Sequence, residues 1–321
     1  MFGSPAGTGR GQTSRRVGVR VRDSRWSCLA ARATRARHSL SLMTLRMTAF
    51  AFLGAALGFA PAGAQQLPLA PVKSSGQSVT PAFEGWYKNP DGTFSISFGY
   101  YNRNSEESLE IPIGPDNFIS PGNENQGQPT HFEPKRHWGV FAVKVPADFG
   151  AKNKVIWTLK IRGETYAIPG SLHPNWEIDA LQGEAGSGNT PPVLKFAANG
   201  PEGAGPGGIT SGPLSAAVGQ PLTINVWAKD DGKSVNSISR DGRANAPVTL
   251  TWFKHQGPGS VSFANQTPRV QSPDIAATTT ATFSAPGEYI LRVRANDASG
   301  LATAGHAQCC WSNGFLKVVV R

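Results

Sequence analysis

The reactive side chains of this sequence gather near its C-terminus, where His306, Cys309, Cys310 and Trp311 fall within six positions. Two adjacent thiols admit three chemistries. In an oxidising compartment they close a vicinal disulfide. That ring is strained, because neighbouring Cα atoms lie about 3.8 Å apart, short of the usual ~4.4–6.8 Å. Alternatively they stay as thiols or bridge to another chain, or they join His306 around a metal, where zinc would want a fourth ligand that the segment does not offer. Trp311 beside them is either a stacking platform for a sugar ring or a plug at the end of a fold. A second group is Asp230, Asp231 and Asp297. Calcium takes six or more oxygens, and acids collected at neighbouring strand ends are the beginning of such a set. No Asp-x-Asp-x-Asp-Gly run accompanies them, and turn-forming acids are the simpler reading. No cofactor is expected, calcium being the one candidate that these acids raise.

Catalytic patterns are missing. Gly-x-Ser-x-Gly, His-Glu-x-x-His and the phosphate-binding Gly-x-x-x-x-Gly-Lys-Ser/Thr do not occur. Glu84, Glu106, Glu107 and Glu110 supply carboxyl groups, but glycosidase pairs are defined by separation in space. Trp86, Tyr87, Tyr101 and Trp138 are numerous for one hundred residues and read either as core between two sheets or as rings for stacking on sugars.

The elements that position these residues follow a period of two. Phe94, Ile96, Phe98 and Tyr100 alternate with Ser95, Ser97, Gly99 and Tyr101, and Asn89-Pro-Asp-Gly92 before them is turn chemistry that pairs this strand with 82–88. Residues 155–162 alternate likewise, and Trp138 to Val145, apolar on both faces, reads as a central strand. No stretch shows a 3.6-residue apolar stripe. A β-sandwich over 81–181 is the simplest solution. Residues 182–213 are rich in Gly and Pro and read as a linker or long loop, with a second unit beginning near 189 and resuming at 214. There, strands are predicted at 222–229, 248–254, 261–264, 278–283, 289–296 and 315–320, an all-β pattern with turns between.

Three segments carry a resemblance: Pro247-Val-Thr-Leu-Thr-Trp252, Gly257-Pro-Gly-Ser-Val-Ser-Phe263, and Ala281-Thr-Phe-Ser-Ala-Pro-Gly-Glu-Tyr289 running on to Asp297. Together they resemble PKD-type and related Ig-like domains of exported bacterial proteins, over about 189–321. The resemblance implies an antiparallel sandwich with Trp252 in its core, and it is nearly silent on activity. The first unit, with Phe83-Glu-Gly-Trp-Tyr87, resembles uncharacterised exported bacterial proteins. Against the family pattern, 298–314 is a long insertion, and 230–246, with Arg240, Asp241 and Arg243, is long as well. In an Ig-type sandwich these two loops emerge at one end. Enlarged together they suggest a recognition surface of His306, Cys309, Cys310, Trp311, Arg240 and Arg243, while loop drift is the plain alternative.

Composition agrees with loops on sandwiches. Of 321 residues, 37 are Gly and 25 Pro, and 16% are charged, against roughly 25% in an average domain. The net charge of +10 suggests a nucleic-acid partner until it is located. Residues 1–46 hold ten Arg and one acid, whereas from Gln65 onward 21 Lys and Arg face 20 Asp and Glu. Nucleic-acid binding therefore loses its support. Met43 to Ala64 has a short basic region, an apolar run from Ala49 to Ala60 and an Ala-x-Ala site, with Ala62 and Ala64 before Gln65, the three parts of a secretory signal peptide. Residues 1–42 read as an over-called start or a disordered basic extension, and 65–80 as a linker. No transmembrane anchor is expected in the mature chain. The sequence thus points to an exported, periplasmic or cell-surface, non-catalytic binding or adhesion module whose partner is a glycan or another envelope protein. The alternatives are a spacer or accessory subunit, and a hydrolase in the first sandwich.

Overall fold

The computed structural model describes residues 72–183, 188–233, 248–297 and 310–321. All of them belong to one compact unit, Leu69–Arg321. The signal-peptide region, with Ala62, Ala64 and Gln65, lies outside them.

The fold is all-β and contains two sandwiches. In the first, strands β1 (Val79–Lys88) and β2 (Phe94–Asn102) form the predicted hairpin. Its turn closes through Asn89 N to Thr93 O (2.8 Å) and Gly92 N to Asn89 O (3.0 Å). Gly92 there has φ +84°, a conformation that costs glycine nothing. A short pair, β3 (Leu109–Glu110) with β5 (His131–Phe132), flanks β4 (Asn117–Ser120) in the chain. Strand β6 (Lys135–Val145) joins β2 to complete a sheet of order β1-β2-β6. The facing sheet runs β4-β7-β8, with β7 at Val155–Ile161 and β8 at Glu164–Gly170. Between the sheets Phe98, Phe141 and Trp157 pack within 5.0–6.1 Å of one another. The Trp157 Nε1 donates to Asn117 Oδ1 at 3.0 Å, which satisfies the indole N–H inside the core.

Strand β6 differs from its predicted central place: it is an edge of its sheet. It is apolar on both faces because a second sandwich covers its outer side, not because strands flank it. Phe315 and Ile290 of that second sandwich belong to the first sandwich's hydrophobic cluster.

The second sandwich takes β9 (Val193–Lys195) and the first part of β10 (Ile209–Ala216) from the Gly- and Pro-rich stretch. Strands β11 (Leu222–Lys229), β12 (Thr249–Gln256), β13 (Val261–Phe263), β14 (Ala277–Phe283) and β15 (Gly287–Asn296) follow the predicted positions. The last strand, β16, begins at Trp311 and ends at Val320, four residues earlier in its start than predicted. The two sheets have the orders β10-β16-β15-β12 and β13-β14-β11-β9. All pairings are antiparallel except β10 with β16, which run parallel. As the resemblance implies, Trp252 is fully buried. Tyr289 donates from Oη to Ala285 O (2.8 Å) and accepts from Gly259 N (3.0 Å), pinning the turn into β15 as the tyrosine corner of Ig-type sandwiches does.

Candidate functional site

At the pole chosen from the sequence, Arg240, Arg243, His306 and Cys309 lie outside the described residues. Cys310, Trp311 and the three aspartates lie within them. Trp311 is not a surface ring: it pairs with Asn296 at the start of β16 and is fully buried, as is Cys310. The insertion is shorter than predicted because Trp311 to Gly314 belongs to the strand. The proposed bridge to Cys309 falls outside the described residues; Cys310 Sγ accepts from Asn189 Nδ2 at 3.6 Å.

Asp230, at the end of β11, and Asp297, just past β15, reach the same pole, where the three aspartates meet protein donors. Asp297 Oδ2 accepts from Asn189 Nδ2 (2.5 Å), Asp231 Oδ2 from Thr190 N and Oγ1 (3.2 and 2.9 Å), and Asp230 Oδ2 from Gly232 N (2.9 Å). Among the described residues no group of three or more His, Cys, Asp or Glu side chains could hold a metal ion. Burial raises the Asp230 carboxyl to about 6, and the charges of Asp297 and Asp231 push the same way. Its Oδ1 is buried without a hydrogen-bond partner.

Sequence reasoning missed a cluster at the junction of the sandwiches. Glu110 Oε1 accepts from His131 Nδ1 at 2.7 Å and from Lys254 Nζ at 2.9 Å, and the other His131 nitrogen meets Glu133 Oε1 at 3.2 Å. A cavity of about 230 Å³ opens beside them. This is a polar cleft with converging His and carboxylates, the feature that a hydrolase reading looks for. Burial pulls the His131 imidazole down, but hydrogen bonds and charge from Glu110 and Glu133 outweigh it and hold it at about 9. Both carboxyls lie below their ordinary range, Glu133 through the His131 bond and Glu110 because its two donors outweigh its burial. At neutral pH the imidazolium donates from both nitrogens and has no lone pair to accept a proton. A general base needs the opposite state. The cluster is two cations against two anions, a tie between strands β3, β5 and β12.

Of the other glutamates weighed from the sequence, Glu106 is exposed and two are spent on ion pairs. Glu107 holds Arg162 at 3.0 Å, and Glu84 holds Arg136 at 2.5 Å. Burial outweighs Arg136 at Glu84 and raises that carboxyl to about 7. Of the aromatics, Trp86 is buried, and Tyr87 accepts at Oη from Gly207 N (2.9 Å) across the junction. Tyr101 is exposed, and Trp138 lies under the Arg136 guanidinium at 5.4 Å. Trp176, which the sequence reading passed over, is 53% exposed in a 3-10 turn (Pro174–Trp176) and packs on Phe83 at 5.5 Å.

The junction itself is polar and closely tied. The alternation on β15 puts Tyr289, Leu291, Val293 and Ala295 in the core; the opposite face, with Arg292 and Arg294, is buried too, against the first sandwich. Arg292 lies 4.5 Å and Arg294 5.3 Å from the Phe253 ring centre. Burial lowers them to about 10 and 9, so both remain charged at neutral pH. His137 and His255 are held near 3 by burial and by Arg292, and are neutral. Asn313 Nδ2 donates to Gly139 O (2.6 Å) and Pro206 O (2.9 Å), while Thr130 N donates to His255 O (2.8 Å). Two cavities of about 370 and 690 Å³ lie along this junction.

No protein-family model and no curated protein matches the chain. The PKD-type resemblance therefore rests on its residues and reaches only as far as an Ig-like sandwich. Solved structures with distant likeness include domains 4 and 5 of the S-layer protein SbsC, at 13% identity and a TM-score of 0.22, over 52% of this chain and 65% of that one. A longer SbsC structure, rSbsC(31-844), has 14% identity and a TM-score of 0.23 over 76% and 28%. Fibronectin(III)-like modules of Clostridium thermocellum CbhA have 12% identity and a TM-score of 0.21 over 76% and 94%. Likeness this distant adds nothing to what the strands themselves establish. No helix among the described residues is long and apolar enough to cross a membrane.

Proposed function

We propose that the chain, after removal of residues 43–64 on export, is a non-catalytic module of the cell envelope that binds a glycan or another envelope protein. The observation that carries this reading is the self-neutralised Glu110–His131–Glu133–Lys254 cluster. Its acid–base groups converge on one cleft, and it spends them on joining two sandwiches. A module that keeps two sandwiches in one arrangement presents a fixed surface, which lowers the entropy cost of binding. The loop end of the second sandwich, where Arg240, Arg243 and His306 fall, is the recognition surface proposed on sequence grounds; Trp311 is not part of it.

The spacer reading draws on the same docking and predicts no ligand. Both are tested with the mature chain on columns of purified cell-wall sacculi and immobilised polysaccharides, with reducing ends assayed in the eluate. Retention without sugar release supports the module. Release of product overturns the non-catalytic assignment, and passage through every column leaves the spacer. Arg240→Ala with Arg243→Ala abolishes retention if the loop end is the contact surface.

A further inference from the structure

Strand β15 carries two arginines on one face, and the first sandwich covers both: Arg292 is 2% exposed and Arg294 9%. Alternate residues of a strand stand about 7 Å apart on the same side. Both guanidinium groups lie over the ring of Phe253 on β12, an apolar surface where an ion pair would normally be expected. Among the described residues each makes one hydrogen bond, Arg292 from Nη1 to Asn313 Oδ1 (3.1 Å) and Arg294 from Nε to Asn296 Oδ1 (3.0 Å). Most N–H groups of the two forks are therefore unused.

No opposite charge answers them. Among the described residues neither arginine has a carboxylate within ion-pair distance. The facing elements supply groups that are neutral or already engaged. On β2 the Tyr100 phenol is raised by burial and keeps its proton. On β6 His137 is neutral, with Nε2 held on Pro134 O at 3.1 Å. Glu133 attracts Arg292 from farther away, but it is bonded to His131 in a cluster whose charges cancel. Water solvates unused N–H groups yet brings no charge, and a buried cation without a counter-charge is strongly unfavourable. Asn296, also buried, adds one more donor: its Nδ2 has no partner and stands beside the Arg294 fork that its Oδ1 receives.

We propose that Arg292, Arg294 and the Asn296 amide bind one small oxyanion of the sulfate or phosphate type, the counter-ion of the junction. Charge sets the sign of the ligand, and planar N–H forks match the paired oxygens of an oxyanion. Burial sets its size, since side chains this covered leave no room for a polymer.

Isothermal titration of the mature chain in Tris chloride, with inorganic sulfate and inorganic phosphate as probes, tests the site. At least one of them binds, with one ion per chain. Arg294→Gln weakens that binding at least tenfold, whereas Arg269→Gln, which removes an exposed charge, leaves it unchanged. The wild-type melting temperature rises in that anion relative to sodium chloride of equal ionic strength, and that of Arg294→Gln does not. Asn296→Ala keeps both guanidinium groups and weakens binding several-fold; it carries the test if Arg294→Gln does not fold. Absence of binding of both anions to wild type overturns the site, as does full affinity in the folded variants. A rise in melting temperature shared by wild type and Arg294→Gln is a general salt effect and overturns it as well.

Discussion

Asn313 of β16 donates its side-chain amide to the main-chain carbonyl of Gly139 on β6 at 2.6 Å, so one sandwich completes the hydrogen bonding of the other's edge strand. The same Nδ2 reaches Pro206 O at 2.9 Å, and Oδ1 accepts from Arg292 Nη1 at 3.1 Å. This side chain is fully buried. It therefore ties both sandwiches and a buried guanidinium together.

Asn313→Ala strands two buried carbonyls and removes the hydrogen-bond acceptor of a buried cation. Leaving a buried polar group unmet costs about 1–3 kcal/mol each, so a loss of about 3 kcal/mol is expected. Because the groups lie between the sandwiches, the variant should also separate their unfolding. Calorimetry and urea titration check this: wild type melts in one transition, and the variant in two.

Trp311→Ala is predicted to destabilise by about 3–5 kcal/mol, the range for removing a buried aromatic side chain. Its ring is fully buried at the first residue of β16. A surface platform would give the opposite result, a melting temperature near wild type with altered binding. Thermal denaturation distinguishes the two directly.

How far these positions were readable from sequence depends on what a local pattern contains. In β15, Tyr289, Leu291 and Val293 alternate with Ile290, Arg292 and Arg294, and the first set is inside, because the inner face of a sandwich is set by each strand's own residues. The other face carries the two arginines, and nothing local reveals that another sandwich covers it. Trp311 read as loop because Ser312, Asn313 and Gly314 after it show no apolar alternation; they are buried at the junction, where hydrogen bonds replace apolar contacts. The ion cluster was unreadable for a simpler reason. Glu110 and Lys254 stand 144 residues apart, and only the docking of the sandwiches brings them together.

Asp230→Asn should stabilise the protein at neutral pH. Burial, reinforced by Asp297 and Asp231, raises this carboxyl from 3.8 to about 6, so its ionised form is disfavoured in the folded state. A raised acid costs stability above its folded value, and the cost fades as pH falls from about 6 towards 3.8. The group is half exposed, so solvent screening limits the gain to about 1 kcal/mol at pH 7.5. Urea midpoints of wild type and variant should differ at pH 7.5 and coincide near pH 3.5.

His131 and His137 should contribute opposite pH dependences to stability on the two sides of about pH 6.5. His131 is raised from 6.5 to about 9, so the folded state holds a proton that the unfolded chain releases first. Its contribution is complete below pH 6.5 and is lost as pH rises through 9, on the order of 2 kcal/mol once the half-exposed Glu110 partner is discounted. His131→Gln should flatten that alkaline limb. His137 is depressed to about 3, chiefly by burial, so below pH 6.5 the unfolded chain takes up a proton that the folded state refuses. Stability present above 6.5 is therefore lost as pH falls towards 3, with a slope of about 1.4 kcal/mol per pH unit for one proton. His137→Phe keeps a ring against Tyr100, which His137 stacks on at 4.9 Å, and removes the titration. Between pH 6 and 4 its stability curve should be shallower than wild type by that slope, measured by urea denaturation across the range. An unchanged slope would show that His137 takes up its proton in the folded state and that burial does not hold it neutral.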